Sequence, residues 1–202
     1  MELYKTIRSQ ILKKLGNELS GDLFYHCLQH TIDVELQVEK IARNELIEAP
    51  EELFLLKVAS LYHDSGFLST YKEHEAAGCV LAKKELPGFA LNQTQLDIIC
   101  GLIMATKIPQ TPLTKLEEII CDADLDYLGR DDFKEISNNL FLELKARSFV
   151  KTQNDWNLIQ INFFHQHHYF TNTNKKLRQP QKLQHLEMIK STFLPGVNNT
   201  EK

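Results

Sequence analysis

The amino-acid sequence predicts an all-α protein, folded as a single-domain helical bundle. Apolar residues recur at helical spacing over most of the chain, and no segment shows the apolar–polar alternation of a strand. Helix breakers, such as Pro87-Gly88 and the later Pro109 and Pro112, separate the periodic segments. A chain of 202 residues can bury one sizeable core, so we expect one domain over residues 1–202.

Helix boundaries are predicted from periodicity, caps and breakers. The first helix covers residues 2–18, where apolar side chains form one face. A later helix begins at Asn92 or Thr94 and stops near Lys107, because prolines follow. Thr114-Lys-Leu-Glu117 has the pattern of a capping box and predicts another helix start. The same criteria predict helices over 29–47, 51–64, 73–86, 131–149, 158–170 and 180–193.

Two segments lack a helical signal. Phe149–Ile161 is interpreted as an extended link, and the polar tail after Pro195-Gly196 is expected to fray. The residues that carry chemistry lie between positions 24 and 133. The helices of residues 134–195 are expected to pack on that core.

Composition limits the classes of partner. Charged residues make up 25% of the chain and the formal net charge is -4, so we expect no broad nucleic-acid surface. The four cysteines form no CxxC motif, which indicates reduced core residues of a cytoplasmic protein. The first residues are charged and amphipathic rather than a signal sequence, and no apolar run is long enough for a membrane span.

An imidazole and a carboxylate stand side by side at the end of an apolar helix. His63 and Asp64 follow the run Leu53–Leu61 and precede the stop signal Ser65-Gly66. A neutral polar group buried without a partner costs roughly 2–7 kcal/mol. A divalent cation would coordinate the imidazole and neutralise the carboxylate together. Taken alone, the pair is more typical of a capping Asp beside a core His.

Two further segments change that balance. His26 and His30 are four residues apart and would share one face of a helix, although a pair of surface histidines is the alternative. Asp122, Asp124 and Asp126 follow an apolar helical segment. Crowded carboxylates raise one another's proton affinity unless a cation offsets them, and a solvated acidic turn is the alternative.

In chain order these motifs read His, His-Asp and Asp. In this order the chain resembles the HD superfamily of metal-dependent phosphohydrolases, over about residues 24–133. The resemblance implies a helical core of the HD type. It also implies that the metal ligands are His30, His63, Asp64 and Asp124.

The first motif is similar to that of the cyclic-nucleotide phosphodiesterases, which implies that His26 is the general acid. Cys27 stands where that pattern has Asn. The triplet Ala123-Asp124-Leu125 matches the Ala-Asp-Leu of the same enzymes and favours Asp124 over Asp122 as the ligand. Asp122 is then expected to support the site or to accept a proton.

The resemblance implies one metal rather than two. His74 is the one further histidine before the last Asp, and Thr106-Lys107 stand where a dinuclear member has another. We expect one divalent transition metal, either Mn, Fe, Co, Ni or Zn, with Mg as a further candidate. Lys72, His74, Glu75 and Lys107 are the candidates for substrate contact, with a solvated surface as the alternative.

The predicted function is hydrolysis of a phosphate ester, of a nucleotide or related small molecule, by a metal-activated water. Asp64 or Asp122 would accept the proton of that water. A regulatory HD module that binds a nucleotide with little turnover is the alternative. A third candidate, an oxygenase with paired irons, is disfavoured because the histidines of a second metal site are missing.

Three histidines near the C-terminal end, His165, His167 and His168, are not assigned to the site. Their spacing does not place all three on one helical face, so core or surface positions are predicted. Trp156 is expected to pack rather than to stack on a ligand.

Overall fold

Helices account for most of the described chain. The computed structural model describes residues 2–193, and within this range it contains α-helices and short 3-10 helices and no strand. The predicted all-α fold is therefore confirmed. The α-helices are α1 (Glu2–Glu18), α2 (Leu28–Asn44), α3 (Pro50–Tyr62), α4 (His74–Glu85), α5 (Gln93–Ala105), α6 (Lys115–Asp124), α7 (Phe133–Ala146), α8 (Gln153–Gln166), α9 (Asn172–Leu177) and α10 (Gln179–Thr192). The 3-10 helices are Ser65–Leu68, Leu86–Phe89 and Asp126–Gly129.

Capping boxes define where α5, α6 and α8 begin. In each, the side chain of the residue before the helix accepts a hydrogen bond from a backbone N–H in the first turn. The side chain of that first-turn residue accepts one from the backbone N–H of the residue before the helix. The box predicted at Thr114 and Glu117 is confirmed. Thr152 and Asp155 form a box that the sequence analysis missed. The extended link predicted over Phe149–Ile161 is therefore wrong, because α8 begins within it.

The chain after α8 also differs from the prediction. His167 has extended backbone angles, so the helix ends at Gln166 rather than at residue 170. The short helix α9 was not predicted, and the side chain of Thr171 caps it. The expected fraying after Pro195-Gly196 lies outside the described residues.

Two of the three apolar clusters in residues 2–193 hold most of the helices together. The larger lies between α1 and α6 and includes fully buried side chains such as Ile11, Leu56 and Ile99. The smaller joins the segments that precede α2 and follow α6 to α7, α8 and α10. Its buried members are Tyr25, Leu125, Tyr127, Leu128, Phe133, Phe164, Leu186 and Ile189. The C-terminal helices thus form a single compact domain with the rest of the described chain.

The end of α3 and the start of α4 are in unusually close contact. A Cβ added at Gly66 would lie 1.8 Å from the backbone oxygen of His74, which leaves no room for any side chain. A Cβ at Gly78 would lie 2.9 Å from the backbone oxygen of Tyr62. These two glycines allow α4 to begin directly beside Asp64.

Two expectations from composition can be compared with the structure. No helix in residues 2–193 is both long and apolar enough to cross a bilayer. All four cysteines are free thiols, and Cys79, Cys100 and Cys121 are buried. The prediction of cysteines as mostly core residues agrees with this placement.

Candidate metal centre

Four side chains from three remote segments converge where α2, α3 and α6 meet. The Nε2 atoms of His30 and His63 lie 3.3 Å apart. Asp124 Oδ1 lies 3.1 Å from the first of these nitrogens and 3.5 Å from the second. Asp64 Oδ2 lies 3.3 Å from each of them. His30, His63 and Asp124 thus form a group that could hold a metal ion, with ligand atoms within 4.8 Å of one another.

Each of these side chains is presented at or near the end of a helix. His30 lies in the first turn of α2, after Cys27, whose side chain makes no capping bond. His63 follows the last residue of α3 in helical conformation, and Asp64 precedes the next 3-10 helix. Asp124 is the last residue of α6. The four side chains therefore come from the start of α2 and the ends of α3 and α6, at the edge of the larger apolar cluster.

The spacing of the donor atoms fits a transition metal. Two ligand atoms at about 2.1 Å from one ion lie roughly 3.0–3.4 Å apart when their angle is between square and tetrahedral. Asp64 Oδ2 is buried and has no hydrogen-bond partner. His63 Nδ1 lies 2.8 Å from the backbone oxygen of Ser60, to which it donates in the neutral ring, so its Nε2 lone pair is directed into the group. An ion would satisfy both the orphaned oxygen and this nitrogen.

The electrostatics favour ionised carboxylates. Burial alone would raise the pKa of Asp124, but hydrogen bonds with His30 and His63 outweigh it and lower that pKa to about 2. Burial likewise opposes ionisation of Asp64, and the charge of His63 still holds its pKa well below the usual value. Both carboxylates are therefore anionic at neutral pH, as metal ligands must be.

His26 lies beside this group rather than on α2. Its Nδ1 is 2.5 Å from Glu143 Oε1, and Tyr71 donates its hydroxyl to the same oxygen at 2.9 Å. Glu143 Oε2 accepts the backbone N–H groups of Tyr25 and His26 at 2.9 and 3.1 Å. The imidazole is thus fixed by one buried carboxylate, and the expectation that His26 and His30 share a helix face is wrong because α2 starts at Leu28.

Glu143 is the functional residue that the sequence analysis missed. It is fully buried on α7, and hydrogen bonds with His26 outweigh the effect of burial and lower its pKa. The available signal was a single carboxylate within the apolar run Phe141-Leu142-Glu143-Leu144. An acid at a core-facing helical position needs a partner.

Two of the four predicted substrate contacts lie at the site. His74 Nε2 is 3.4 Å from Asp64 Oδ1 and 3.4 Å from Glu75 Oε1, and both His74 and Glu75 line the cavity beside the group. The two lysines are not brought there. Lys72 is exposed, and the Lys107 ammonium is exposed and paired with Glu73.

The structure does not bring Asp122 into the group. Its Oδ1 accepts the backbone N–H of Phe170, and its Oδ2 accepts the backbone N–H and hydroxyl of Thr171, all within 2.8 Å. Burial raises its pKa to about 6 in spite of these bonds. Asp122 therefore fastens the chain after α8, whereas Asp124 lies against the imidazoles.

The three C-terminal histidines lie elsewhere. His165 and His168 are exposed, and His167 Nδ1 lies 2.9 Å from the buried Nζ of Lys182. Burial lowers the pKa of His167 to about 3 and that of Lys182 to about 8. The core or surface positions predicted for these histidines agree with this placement.

A cavity of about 440 Å³ adjoins the candidate metal centre. This volume lies within the range of small-molecule sites, about 300–1,000 Å³. His26, Asp64, His74, Glu75 and Asp124 present polar atoms to one part of it. The remaining wall is largely apolar and aromatic.

Comparison of the chain with protein-family models, with curated proteins and with solved structures finds no match. The geometry of the side chains therefore carries the functional argument, together with the motif order described above.

Proposed function

We propose that this protein is a metal-dependent phosphohydrolase of the HD type. It would cleave a phosphate ester of a small molecule, and the motif resemblance suggests nucleotides as the first class to test. The observation that carries the proposal is one arrangement. Two imidazoles and two carboxylates converge within metal-binding distances, beside a histidine that a buried carboxylate holds in place.

The donor set determines which ion fits. Two imidazole nitrogens and two carboxylate oxygens suit Mn, Fe, Co, Ni or Zn. Such an ion would polarise a phosphoryl oxygen and lower the pKa of a bound water. His30, His63, Asp64 and Asp124 would hold it.

His26 would supply the proton that the leaving group needs. Its Nδ1 is engaged with Glu143, so Nε2 is the atom that can donate to the departing oxygen. The buried carboxylate of Glu143 fixes the orientation of the ring through this contact. A site that only binds a ligand has no need of a proton donor. The His26–Glu143 pair therefore favours an enzyme over a regulatory binding module.

Asp64 would receive the proton of the attacking water. One of its oxygens faces the imidazoles of His30 and His63. The other lies 3.4 Å from His74 Nε2, so a proton taken by the carboxylate has an onward path to the half-buried ring of His74. Asp122 has no part in this step, because both of its oxygens are occupied.

Elemental analysis followed by a phosphate-release assay tests the proposal. We expect one transition-metal ion per chain and release of phosphate from at least one ester in a panel of small phosphate esters, with Mn²⁺ added. His26→Asn should keep the ion and lower kcat by a factor on the order of 10²–10⁴. His165→Asn, at an exposed position, is the matched control and should behave as the wild type. Metal-loaded protein that releases no phosphate from any ester would contradict the proposal.

A further inference from the structure

The cavity beside the metal centre has a strongly apolar inner wall. Leu140 and Leu144 of α7 and Trp156, Ile159 and Phe163 of α8 line it. Trp156 is 5% exposed, and the leucines are half-buried. A molecule that fills this volume would therefore bury apolar or aromatic atoms against both helices.

The titratable side chains that line this cavity include two histidines and three carboxylates. Among the residues of the described chain that line it, none is Lys or Arg. Sites that bind several phosphate groups supply Lys or Arg to each charged group, because a buried phosphate without a partner is costly. A single bound ion can compensate one phosphoryl group. Glu75, which is buried in the lining, would repel further ones.

Two polar side chains of the cavity wall, Gln160 and Trp156, already have partners. Gln160 Oε1 accepts the hydroxyl of Ser137 at 2.6 Å, and Ser137 Oγ in turn accepts the indole N–H of Trp156 at 3.3 Å. Recognition of a nucleobase depends on free donors and acceptors that match its edge. Gln160 and Trp156 are hydrogen-bonded through Ser137 and therefore do not offer a nucleobase free donors and acceptors.

Resting on the proposed function, we propose that the substrate is a phosphate ester with one phosphoryl group and an apolar or aromatic organic part, and not a nucleoside polyphosphate. The phosphoryl group lies at the candidate metal centre, and the organic part lies against Leu144, Trp156 and Phe163. In hydrolysis a bond forms between the water oxygen and phosphorus, and the bond from phosphorus to the ester oxygen breaks. The departing alkoxide takes its proton from His26, and the proton of the water goes to Asp64.

Trp156 gives a direct readout of cavity occupancy, because it is the one tryptophan in the chain. The full chain, saturated with Mn²⁺, is titrated with benzylphosphonate, with a non-hydrolysable nucleoside triphosphate analogue and with inorganic phosphate. We expect the benzylphosphonate to change the tryptophan emission with a Kd at least about tenfold below those of the other two. Equal or tighter binding of the triphosphate analogue would overturn the inference.

Matched variants locate the effect. Leu144→Lys places a cation in the lining and should weaken benzylphosphonate binding about tenfold while it strengthens binding of the triphosphate analogue. Leu142→Lys is the control, because Leu142 lies on the same helix, is 40% exposed and does not line the cavity. Ile159→Lys repeats the test at a lining position that is already 42% exposed and therefore tolerates a charge. Unchanged binding in both lining variants would refute the assignment.

The two proposals fail in different ways. Tight benzylphosphonate binding without phosphate release from benzyl phosphate or any other ester would refute the phosphohydrolase and leave the cavity preference standing. Faster release from nucleoside triphosphates than from benzyl phosphate would refute the substrate class and leave the phosphohydrolase standing.

Discussion

Replacing Glu143 by Gln tests whether the buried carboxylate supports proton transfer or only packing. The Gln side chain has nearly the same shape, and its oxygen can still accept the backbone N–H groups of Tyr25 and His26. Its amide group would stand where Oε1 now accepts from His26 Nδ1 and from Tyr71. An amide N–H donates, so the imidazole would have to accept at Nδ1 and carry its proton at Nε2 without a counter-charge. This variant keeps the contacts and removes the stabilisation of the protonated ring.

The expected losses differ in size. Two hydrogen bonds to a charged oxygen are exchanged for weaker ones, so the free energy of unfolding should fall by about 1–3 kcal/mol. Loss of the correctly protonated acid should lower kcat by a factor on the order of 10²–10⁴. Bound metal should be unchanged, since Glu143 contacts none of the four proposed metal ligands in the hydrogen bonds that it makes.

Three measurements on one preparation separate these effects: metal content, thermal unfolding and the pH profile of kcat with the best ester found. Glu135→Gln on the same helix, at an exposed position, is the control. A Glu143→Gln protein that folds, holds its ion and turns over within about threefold of the wild type would refute the role assigned to the His26–Glu143 pair. A pH profile of unaltered shape would refute it as well.

Three other changes give distinct expectations. His63→Ala should abolish metal binding and phosphatase activity together, and His165→Ala should leave both intact; full activity in a metal-free His63→Ala protein would rule out the mechanism. Gly66→Ala should lower the free energy of unfolding by about 3 kcal/mol, because its Cβ would overlap the carbonyl oxygen that begins α4, whereas Gly88→Ala meets no atom within 4 Å and should change it little. Lys182 has a pKa of about 8 in the folded protein and an ordinary value near 10.5 in the unfolded chain. Between these pH values the unfolded chain binds more protons than the folded protein. The free energy of unfolding of the wild type should therefore rise by up to about 3 kcal/mol as the pH increases from 8 to 10.5. Lys182→Met should lack this gain in urea unfolding measured from pH 7 to 10, and an unchanged slope would contradict the assignment.

Helical periodicity predicted the architecture well where apolar faces are long. The predicted helix 2–18 corresponds to α1, and the capping box at Thr114 corresponds to the start of α6. The start of α8 after Thr152 was not predicted, because the first turn of this helix is polar and the apolar periodicity begins only after it. Prediction also failed at His167, where the helix ends through a tertiary contact with Lys182 rather than through a glycine or proline.

The candidate metal ligands were accessible from local motifs, since each is a His or Asp beside an apolar helical run. Glu143 was not, because 117 positions separate it from His26 and pairing at that distance depends on the fold. Lys72 and Lys107 were predicted as substrate contacts from their charge. The charge of a surface side chain does not indicate its direction. Asp122 was a candidate because it is an acid in an apolar helical segment. The donors that stabilise its buried carboxylate are on Phe170 and Thr171, between α8 and α9, and the local motif gives no sign of them.

The clasp between Asp122 and the backbone of Phe170 and Thr171 bears on how the chain can be shortened. A version cut after α8 would retain every proposed metal ligand and both members of the His26–Glu143 pair, yet it would remove all three donors that the Asp122 carboxylate now accepts from. Asp122 lies two positions before Asp124 on the same helix, so the disturbance would reach the end of α6 that carries this candidate metal ligand. The last two helices are thus no removable appendage, and a minimal domain should be designed to end beyond them.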